Sequence, residues 1–373
     1  MECKSPVDQK AFHELASGKA QGVVSNLLRG LLLPISQIYK FVTLSRNALY
    51  RHHILPSYTA PCPVICIGNL TTGGTGKTPL VAWLCRHLSE NKQLRSVVLT
   101  RGYKSSHTQT DEPEMLEKKL GDTRVIVNAN RIEGTRTAIT SGPVDVFVMD
   151  DGFQHQRLAR DLDILTLDAT NPFGYEKLLP AGLLREPVTA IERAQCVVIT
   201  RSNQIPAQEL KALKTRVQSI CPSVLVATTV HSPTAVHCPE SQPQPASWLN
   251  GRSVFAFCGI GNPQAFFTTL EELGAKVVGN HVFDDHYHCT KADLDNLLEQ
   301  ALQNQAELLL TTEKNYPDIA AITTHTSLPL GYLTIELAFE SGEENVKELI
   351  EKALASKIPR SRLPSSAGDD QNK

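Results

Sequence analysis

One run of residues has the composition and spacing of a phosphate-binding loop: Gly73-Gly74-Thr75-Gly76-Lys77-Thr78. Successive glycines let several backbone N–H groups face one anion at the positive end of a helix. In such loops the lysine reaches the β- and γ-phosphates of a nucleotide, and the next hydroxyl binds Mg²⁺. Thr71 stands where the general pattern has its first glycine. We predict a nucleotide site here; the alternative is a glycine-rich turn that matches by chance.

Two adjacent carboxylates, Asp150 and Asp151, follow the apolar segment 144–149. A carboxylate at the end of a strand beside a P-loop holds Mg²⁺, directly or through water. An acidic residue after a strand is by itself usually just solvated, but its pairing with the glycine-rich run favours a metal site. We therefore predict that Thr78, Asp150 and Asp151 bind Mg²⁺.

Three further segments carry residues suited to group transfer. Asp111 follows a predicted strand, where α/β sheets bind ligands, and either accepts a proton from a hydroxyl or marks a turn. Arg185, followed by Glu186, either stabilises a transferring phosphate or belongs to a structural connector. His286 lies beside aspartates in the segment 283–288 and suits acid–base chemistry or a plain polar loop. A metal site there is disfavoured because no third cluster completes it.

These residues need a rigid frame, and the apolar runs predict one. Short runs typical of buried strands occupy residues 63–68, 96–100, 124–128, 144–149, 162–167 and 195–200. Helical or loop stretches separate them, and a helix is predicted from Pro79 onward. Buried strands that alternate with helices form a parallel α/β sheet. The predicted fold class is therefore α/β, with the P-loop placed between a strand and a helix.

Changes in composition divide the chain into five predicted segments. They are an N-terminal amphipathic, membrane-associating helical segment (1–55), a P-loop core (56–230), a linker (231–250), a second, smaller α/β lobe (251–355) and a disordered tail (356–373). The linker is predicted because Pro, Ser and Gln are frequent there. A capping box is expected at Thr290, at the start of a helix in the second lobe.

The N-terminal segment is apolar and basic. No Asp or Glu occurs from Leu15 through Ser89, whereas Lys and Arg recur there. Apolar residues recur at helical spacing over residues 22–50, and Pro34 is expected to kink or divide that helix. The helix either packs on the core or lies on an anionic membrane surface, and both hold if only part of it docks.

The overall composition excludes several classes of protein. A net charge of -2 argues against a nucleic-acid-binding protein driven by bulk charge. The nine cysteines are dispersed, with Cys62 and Cys66 the closest pair, so reduced cytosolic thiols fit better than zinc or disulfides. We found neither an uninterrupted apolar stretch of roughly 18 residues nor the layout of a signal peptide. These features predict a cytoplasmic protein.

Several motifs together resemble one known family. The segments GNLTTGGTGKTP, RGY, DEP, DDGFQHQRLARDLDI, LLPAGLLREP, FCGIGNP, FDDH and TTEK occur in the order found in the tetraacyldisaccharide 4'-kinase family. The resemblance covers roughly residues 20 to 345, and DDGFQHQRLARDLDI and LLPAGLLREP are its specific parts. It implies ATP- and Mg²⁺-dependent phosphorylation of the 4'-hydroxyl of a tetraacylated glucosamine disaccharide 1-phosphate, giving lipid IVA.

The resemblance also implies roles for the residues singled out above. It makes Asp111 the base for the 4'-hydroxyl and pairs His286 with it. It places Arg185 and Glu186 near the phosphates and the substrate, and Lys77 in the P-loop role. It implies a peripheral enzyme on the cytoplasmic face of the inner membrane. The expected partners are the lipid-linked disaccharide and an anionic membrane surface, and neither nucleic acid nor a protein partner is expected.

Some positions depart from the family pattern. Lys104 follows RGY where glycine is usual, Tyr287 replaces a histidine, and Asn315 replaces an aspartate after TTEK. Two other functions keep part of the pattern. A P-loop switch or assembly NTPase needs no Asp111–His286 pair, but a guanine-reading signature is not evident. A membrane-binding module with a vestigial loop conflicts with the intact Lys77.

Overall fold

The computed structural model describes residues 9–102, 120–121, 123–239, 241–284, 287–323 and 327–358. The chain forms two compact units. One, which we call the P-loop unit, comprises Leu32–Val230 and Phe339–Lys373. The other, the second unit, comprises Met1–Leu31 and His231–Ala338. Residues 339–355 thus belong with the P-loop, whereas the sequence analysis assigned them to the second lobe.

A parallel sheet forms the centre of the P-loop unit. Its strands are β1 Val64–Asn69, β2 Ser96–Thr100, β3 Arg124–Val127, β4 Val146–Asp150, β5 Leu162–Asp168, β6 Cys196–Thr200 and the first part of β7 Leu225–His237. The order is β7-β6-β5-β1-β4-β2-β3, and the paired strands are parallel. Strand β1 is buried along its whole length, as expected of a strand covered on both faces. The six strands predicted from apolar runs are confirmed.

Helices accompany this sheet in the chain. They are α2 Val23–Arg51, which begins in the second unit, α3 Lys77–Arg86, α4 Arg131–Thr140, α5 Ala207–Ile220 and α9 Glu343–Ala355. A π-helical turn, His87–Asn91, continues α3. The strands place large apolar side chains such as Ile65, Ile67 and Phe147 in the core with no exposed surface. Carboxyl ends of neighbouring parallel strands meet at one edge, where such sheets bind ligands.

The second unit is a smaller α/β structure. Its elements are α1 Gln9–Ser17, β8 Gln244–Pro245, β9 Ser253–Cys258, α6 Pro263–Glu272, β10 Lys276–Val282, α7 Lys291–Gln303, β11 Leu308–Thr312, α8 Tyr316–Ile322 and most of β12 Leu330–Ser341. Strands β10, β9, β11 and β12 are parallel neighbours in that order. The capping box at Thr290 is confirmed, with Asp293 as its partner.

The predicted linker 231–250 is wrong as a description of local structure. Strand β7 continues to His237, β8 pairs with it antiparallel, and a 3₁₀ helix spans Ala246–Leu249. Val236 and Leu249 are fully buried. Prolines occur at the edges of the short β7–β8 pairing, where sheets tolerate them. The Pro-rich composition therefore did not indicate a strand, although burial in the tertiary structure stabilises one.

The predicted start of the tail is also too early. Helix α9 is followed by Ile358, which is buried, and by an ion pair of 2.8 Å between Lys357 Nζ and Asp161 Oδ2. Ordered chain therefore continues beyond Ser356, and residues 359–373 lie outside the described part.

Helix α2 is a single element that Pro34 does not divide. It alone among the described helices is long and apolar enough to cross a membrane, by length and composition. Many of its apolar side chains are exposed: Val23, Val24, Leu27, Leu28, Leu31, Leu33, Ile35, Ile38, Phe41, Val42, Leu44 and Leu49. One missing hydrogen bond at proline costs a helix stability but does not end it when neighbouring turns are held by other contacts.

Candidate active site

The glycine-rich run connects strand β1 to helix α3. Gly73 and Gly76 have positive φ angles, 107° and 79°, which favour glycine and give the chain its sharp turn. Helix α3 begins at Lys77, and no side chain of the described residues caps its N-terminus at Gly76. The first backbone N–H groups of α3 are thus available to an anion, as the P-loop prediction requires.

Side chains at the ends of strands β5 and β6 form hydrogen bonds to this loop. Thr200 Oγ1 donates to Thr75 O at 3.1 Å, and Thr75 Oγ1 shares a hydrogen bond of 2.9 Å with Thr166 Oγ1. Arg201 Nη1 donates to Gly74 O at 3.0 Å and forms a buried ion pair with Asp168. Thr200, the last residue of β6, and Arg201, which follows it, therefore fix two carbonyl groups of the phosphate loop, and Thr166 of β5 holds the Thr75 hydroxyl.

These supporting residues were not predicted from the sequence. Asp168 ends β5, and Arg201 directly follows β6. The rule that ligands bind at the carboxyl ends of parallel strands, applied to Asp111, also points to these two. Asp168 and Arg201 belong to no recognisable motif, so the sequence pattern did not indicate their role.

A close approach between backbones sets the end of β4 beside β1. A Cβ atom on Gly68 would lie 2.6 Å from Cβ of Phe153, so only glycine fits there. Gly152 N donates to Ile67 O at 3.4 Å, and Asp151 adopts a positive φ of 49°. The turn after β4 therefore packs closely against β1, the strand that precedes the phosphate loop.

Asp151 lies between two cationic side chains. Its Oδ1 is 3.5 Å from Lys77 Nζ, and its Oδ2 is 2.8 Å from Arg185 Nη1. Burial raises the pKa of Asp151, but the charges of Lys77 and Arg185 outweigh it and lower the pKa from 3.8 to about 2. Asp151 is therefore an anion at neutral pH, and it draws the P-loop lysine and Arg185 to one point.

The neighbouring Asp150 is buried at the end of β4. Arg131 Nη2 donates to Asp150 O at 3.1 Å, and Arg131 Nη1 donates to Asn128 O at 2.7 Å.

Burial, with the charges of Arg131 and other arginines, lowers the pKa of His155 from 6.5 to about 4. His155 is thus neutral at pH 7.

The loop that carries Arg185 runs beside the start of the phosphate loop. Arg185 N donates to Leu70 O at 2.6 Å, and Thr72 N donates to Leu183 O at 2.8 Å. These bonds bring the Arg185 side chain to Asp151. The structure thus unites Lys77, Asp151 and Arg185, three residues that the sequence analysis singled out separately.

Glu186 has a different environment from Arg185. It is 1% exposed, and it accepts hydrogen bonds from Arg193 and from Asn47 Nδ2 at 2.6 Å. The Arg193 guanidinium also lies over the Phe153 ring, 4.3 Å from its centroid. Glu186 thus contacts Asn47 of helix α2 and Arg193 of the segment that follows Glu186.

The predicted base and its partner, Asp111 and His286, lie outside the described residues. Within the described ranges, no group of three or more His, Cys, Asp or Glu side chains could hold a metal ion. The oxygen donors near the phosphate loop, on Thr78, Asp150 and Asp151, suit Mg²⁺ that is bound mainly by phosphates and water.

Comparisons with known proteins point in one direction. The family model described as Tetraacyldisaccharide-1-P 4'-kinase (LpxK) matches residues 28–355. The chain is 30% identical over 371 residues to the tetraacyldisaccharide 4'-kinase of Halothermothrix orenii, with 89% of this chain and 94% of that protein covered. It is 36% identical over 288 residues to the enzyme of that name from Anaeromyxobacter dehalogenans strain 2CP-C, with 72% and 76% covered.

A solved structure gives the same result. The fold is similar to the crystal structure of LpxK from Aquifex aeolicus in complex with ATP, with a TM-score of 0.66 and 29% sequence identity. The match covers 88% of this chain and 99% of that one. The similarity therefore extends over both units rather than over the P-loop region alone.

The charge of Asp151 predicts a pH dependence of stability. Because its folded-state pKa lies below the ordinary 3.8, its stabilising contribution is complete above that value and is lost as pH falls through about 2. We expect Asp151→Asn to lower the free energy of unfolding by roughly 2 kcal/mol at neutral pH. Urea unfolding should show this difference shrinking as pH falls toward 2. Asp295→Asn, on the exposed face of α7, is the control, and a pH-independent difference would contradict the ion pair.

The support under the phosphate loop predicts an effect on nucleotide affinity. Arg201→Met removes the donor to Gly74 O and should raise the Kd for ATP roughly tenfold, the size of one hydrogen bond to a charged group. Thr200→Val, which is nearly isosteric, should give a smaller increase in the same direction. Isothermal titration calorimetry measures both. Arg216→Met, whose guanidinium pairs with exposed Glu176, is the matched control, and a wild-type Kd in Arg201→Met would refute the supporting role.

Proposed function

The chain belongs to the tetraacyldisaccharide 4'-kinase family, and from that premise we propose how its residues carry out the reaction. It is an ATP-binding kinase that phosphorylates the lipid A precursor in lipid A biosynthesis. In our proposal it transfers the γ-phosphate of ATP to the 4'-hydroxyl of tetraacyldisaccharide 1-phosphate and forms lipid IVA. The single observation that carries the proposal is the convergence of Lys77, Asp151 and Arg185 at the phosphate loop.

The phosphate loop binds the donor. Backbone N–H groups at Gly74–Gly76 and at the start of α3 receive phosphate oxygens, and Lys77 reaches the β- and γ-phosphates. Lys77 is held 3.5 Å from Asp151 and so is already turned toward the phosphate side of the loop. Little reorganisation is then needed when ATP arrives, which favours catalysis through preorganised charge.

Thr78, Asp150 and Asp151 are the residues that would hold Mg²⁺. When bound, Mg²⁺ neutralises charge that develops on the phosphates. Asp150 is buried at the strand end, so its position varies little, and the low pKa of Asp151 keeps it ionised as a metal ligand must be. Asp150 is the last residue of β4, and Asp151 is the first residue of the turn after it.

Arg185 stabilises the transferring phosphoryl group. Its guanidinium already engages an anionic carboxylate through two contacts of 2.8 and 3.0 Å, a geometry that also suits phosphate oxygens. In phosphoryl transfer most of the barrier is lowered by positioning and by such charge stabilisation. Glu186, buried and bound to Arg193, supports the Arg185 loop in this proposal and does not contact the sugar.

Asp111 and His286 are the residues that act on the acceptor hydroxyl. The 4'-oxygen forms a bond to the γ-phosphorus while the bond to the β-phosphate oxygen breaks and ADP leaves. The 4'-hydroxyl proton passes to Asp111, whose basicity His286 tunes. These two roles rest on the family resemblance and are proposed on that ground.

Helix α2 holds the enzyme at the membrane. Ser36, Tyr39, Arg46 and Asn47 donate hydrogen bonds to other segments of the P-loop unit, whereas Ile38 and Phe41 on the other side of the helix are 65% and 71% exposed. A helix docked along one face cannot also cross a bilayer, so it lies in the interface with its apolar side in the lipid. We place the enzyme as a peripheral protein on the cytoplasmic face of the inner membrane, where ATP is available.

The proposed acid–base pair is tested by turnover on the lipid. Purified protein with ATP, Mg²⁺ and disaccharide 1-phosphate in detergent should yield the 4'-phosphorylated product. Asp111→Asn and His286→Ala should lower kcat by roughly 10²-fold or more, the usual contribution of general acid–base catalysis. The Kd for ATP should change little, because neither residue belongs to the phosphate loop.

The controls for this test come from the same segments. Glu112→Gln and His288→Ala change neighbouring side chains of the same types and should keep kcat within about twofold of the wild type, the spread expected of changes outside the reaction. Full kcat in Asp111→Asn or His286→Ala would remove that residue from the mechanism. Absence of lipid phosphorylation by the wild type would overturn the proposed reaction itself.

The interfacial helix is tested with vesicles. Ile38→Ser combined with Phe41→Ser removes two exposed apolar side chains and should lower the fraction of protein bound to phosphatidylglycerol-containing vesicles several-fold. Leu302→Ser, which changes an apolar side chain that is 50% exposed on α7, should leave binding unchanged. Co-sedimentation measures both. Equal binding of the α2 double variant and the wild type would show that another surface contacts the membrane.

A further inference from the structure

Side chains on one face of α2 donate hydrogen bonds to other segments of the P-loop unit, among them the Arg185 loop and the turn that begins at Asp151. At 100° per residue, Ser36, Tyr39, Arg46 and Asn47 share an arc of about 100° around the helix. Each donates a hydrogen bond over a long sequence separation. The acceptors are Leu178 O, Arg185 O, Gln154 O and a carboxylate oxygen of Glu186.

Tyr39 acts on the Arg185 peptide group directly. Its hydroxyl donates to Arg185 O at 2.9 Å, while Arg185 N donates to Leu70 O at 2.6 Å. The backbone of Arg185 is thus fixed from both sides, by α2 and by the segment that leads into the phosphate loop. From this fixed backbone the guanidinium reaches Asp151, with Nη1 2.8 Å from Oδ2.

Asn47 joins the two segments that meet at the site. Its Nδ2 donates to Glu186 Oε2 at 2.6 Å, and its Oδ1 accepts from Gln156 Nε2 at 2.6 Å. Glu186 adjoins Arg185, and Gln156 lies in the turn that begins at Asp151. One amide of α2 therefore bridges the Arg185 loop and the Asp151 turn, and both its donor and its acceptor are used.

We propose that Tyr39 and Asn47 are positioning residues for phosphoryl transfer, and that α2 is part of the catalytic framework as well as the membrane-facing helix. The inference rests on the proposed role of Arg185. Groups that stabilise a transition state must be held to within about 0.5 Å, by neighbours whose own positions are fixed. Tyr39 and Asn47 supply such support to Arg185 and to the Asp151 turn.

Two substitutions test this inference against one matched control. Tyr39→Phe removes one hydroxyl and should lower kcat roughly fivefold, and Asn47→Ala, which breaks a bridge with two hydrogen bonds, roughly tenfold or more. Thr43→Val is the control, because the Thr43 hydroxyl is on the same buried face but donates to Tyr39 O within α2. It should keep the wild-type kcat. Rates are measured on detergent-dispersed disaccharide lipid at saturating ATP.

Further readouts separate positioning from a general loss of structure. The number of ATP-binding sites per protein, the KM for ATP and the fraction bound to phosphatidylglycerol vesicles should all match the wild type in Tyr39→Phe and Asn47→Ala. A change confined to kcat then reports the geometry of Arg185. If both variants keep the wild-type kcat, the inference is wrong. If kcat falls only with a proportional loss of ATP-binding sites, the two residues serve folding alone and the inference is equally overturned.

The same experiment distinguishes this inference from the proposed function. Lipid phosphorylation by the wild-type protein tests the proposed function, whereas the ratio of variant to wild-type kcat tests the positioning role. A wild type that phosphorylates the lipid, with variants as fast as it, would overturn only the role of α2.

Discussion

The ion pair network of Asp151 with Lys77 and Arg185 is the constraint on which the site depends. It requires three segments that are far apart in sequence to reach one point: the phosphate loop, the turn after β4 and the loop at residue 185. Each is brought there by backbone contacts, such as the approach of Phe153 to Gly68 and the bond from Arg185 N to Leu70 O. Two cations around one partly buried carboxylate keep it ionised, and the same cations suit a phosphate.

Hydrogen bonds from more distant residues hold the segments that form this ion pair network. Thr200 at the end of β6 and Arg201 directly after it hold the phosphate loop, and α2 holds the Arg185 loop through Tyr39. Buried polar groups of this kind are useful only when every partner is in place, because an unpaired buried group costs more than a pair contributes. The site therefore depends on residues well outside the phosphate-binding motif.

Helix α2 connects the two demands on a kinase whose acceptor is a lipid. One side of it docks on the catalytic loops, and the other presents apolar side chains such as Phe41. A lipid acceptor must be met by a site whose orientation to the bilayer is fixed, and in the function that we propose a single helix serves both purposes. In that proposal Tyr39 and Asn47 stand among the apolar residues of the acid-free N-terminal segment because they contact the catalytic loops.

The sequence by itself determined the phosphate loop, the six strands around it and the α/β class, because these depend on local patterns of glycine and apolar residues. It also determined the family, through motifs such as DDGFQHQRLARDLDI. Only the tertiary structure decided that residues 231–237 form a strand, that Pro34 leaves α2 undivided, and that Glu186 is buried against Arg193 and Asn47. Those outcomes depend on partners more than a hundred residues away or on burial, which local composition does not record. The support that Arg201 and Tyr39 give was hidden for the same reason, since a hydrogen bond to a distant carbonyl leaves no motif.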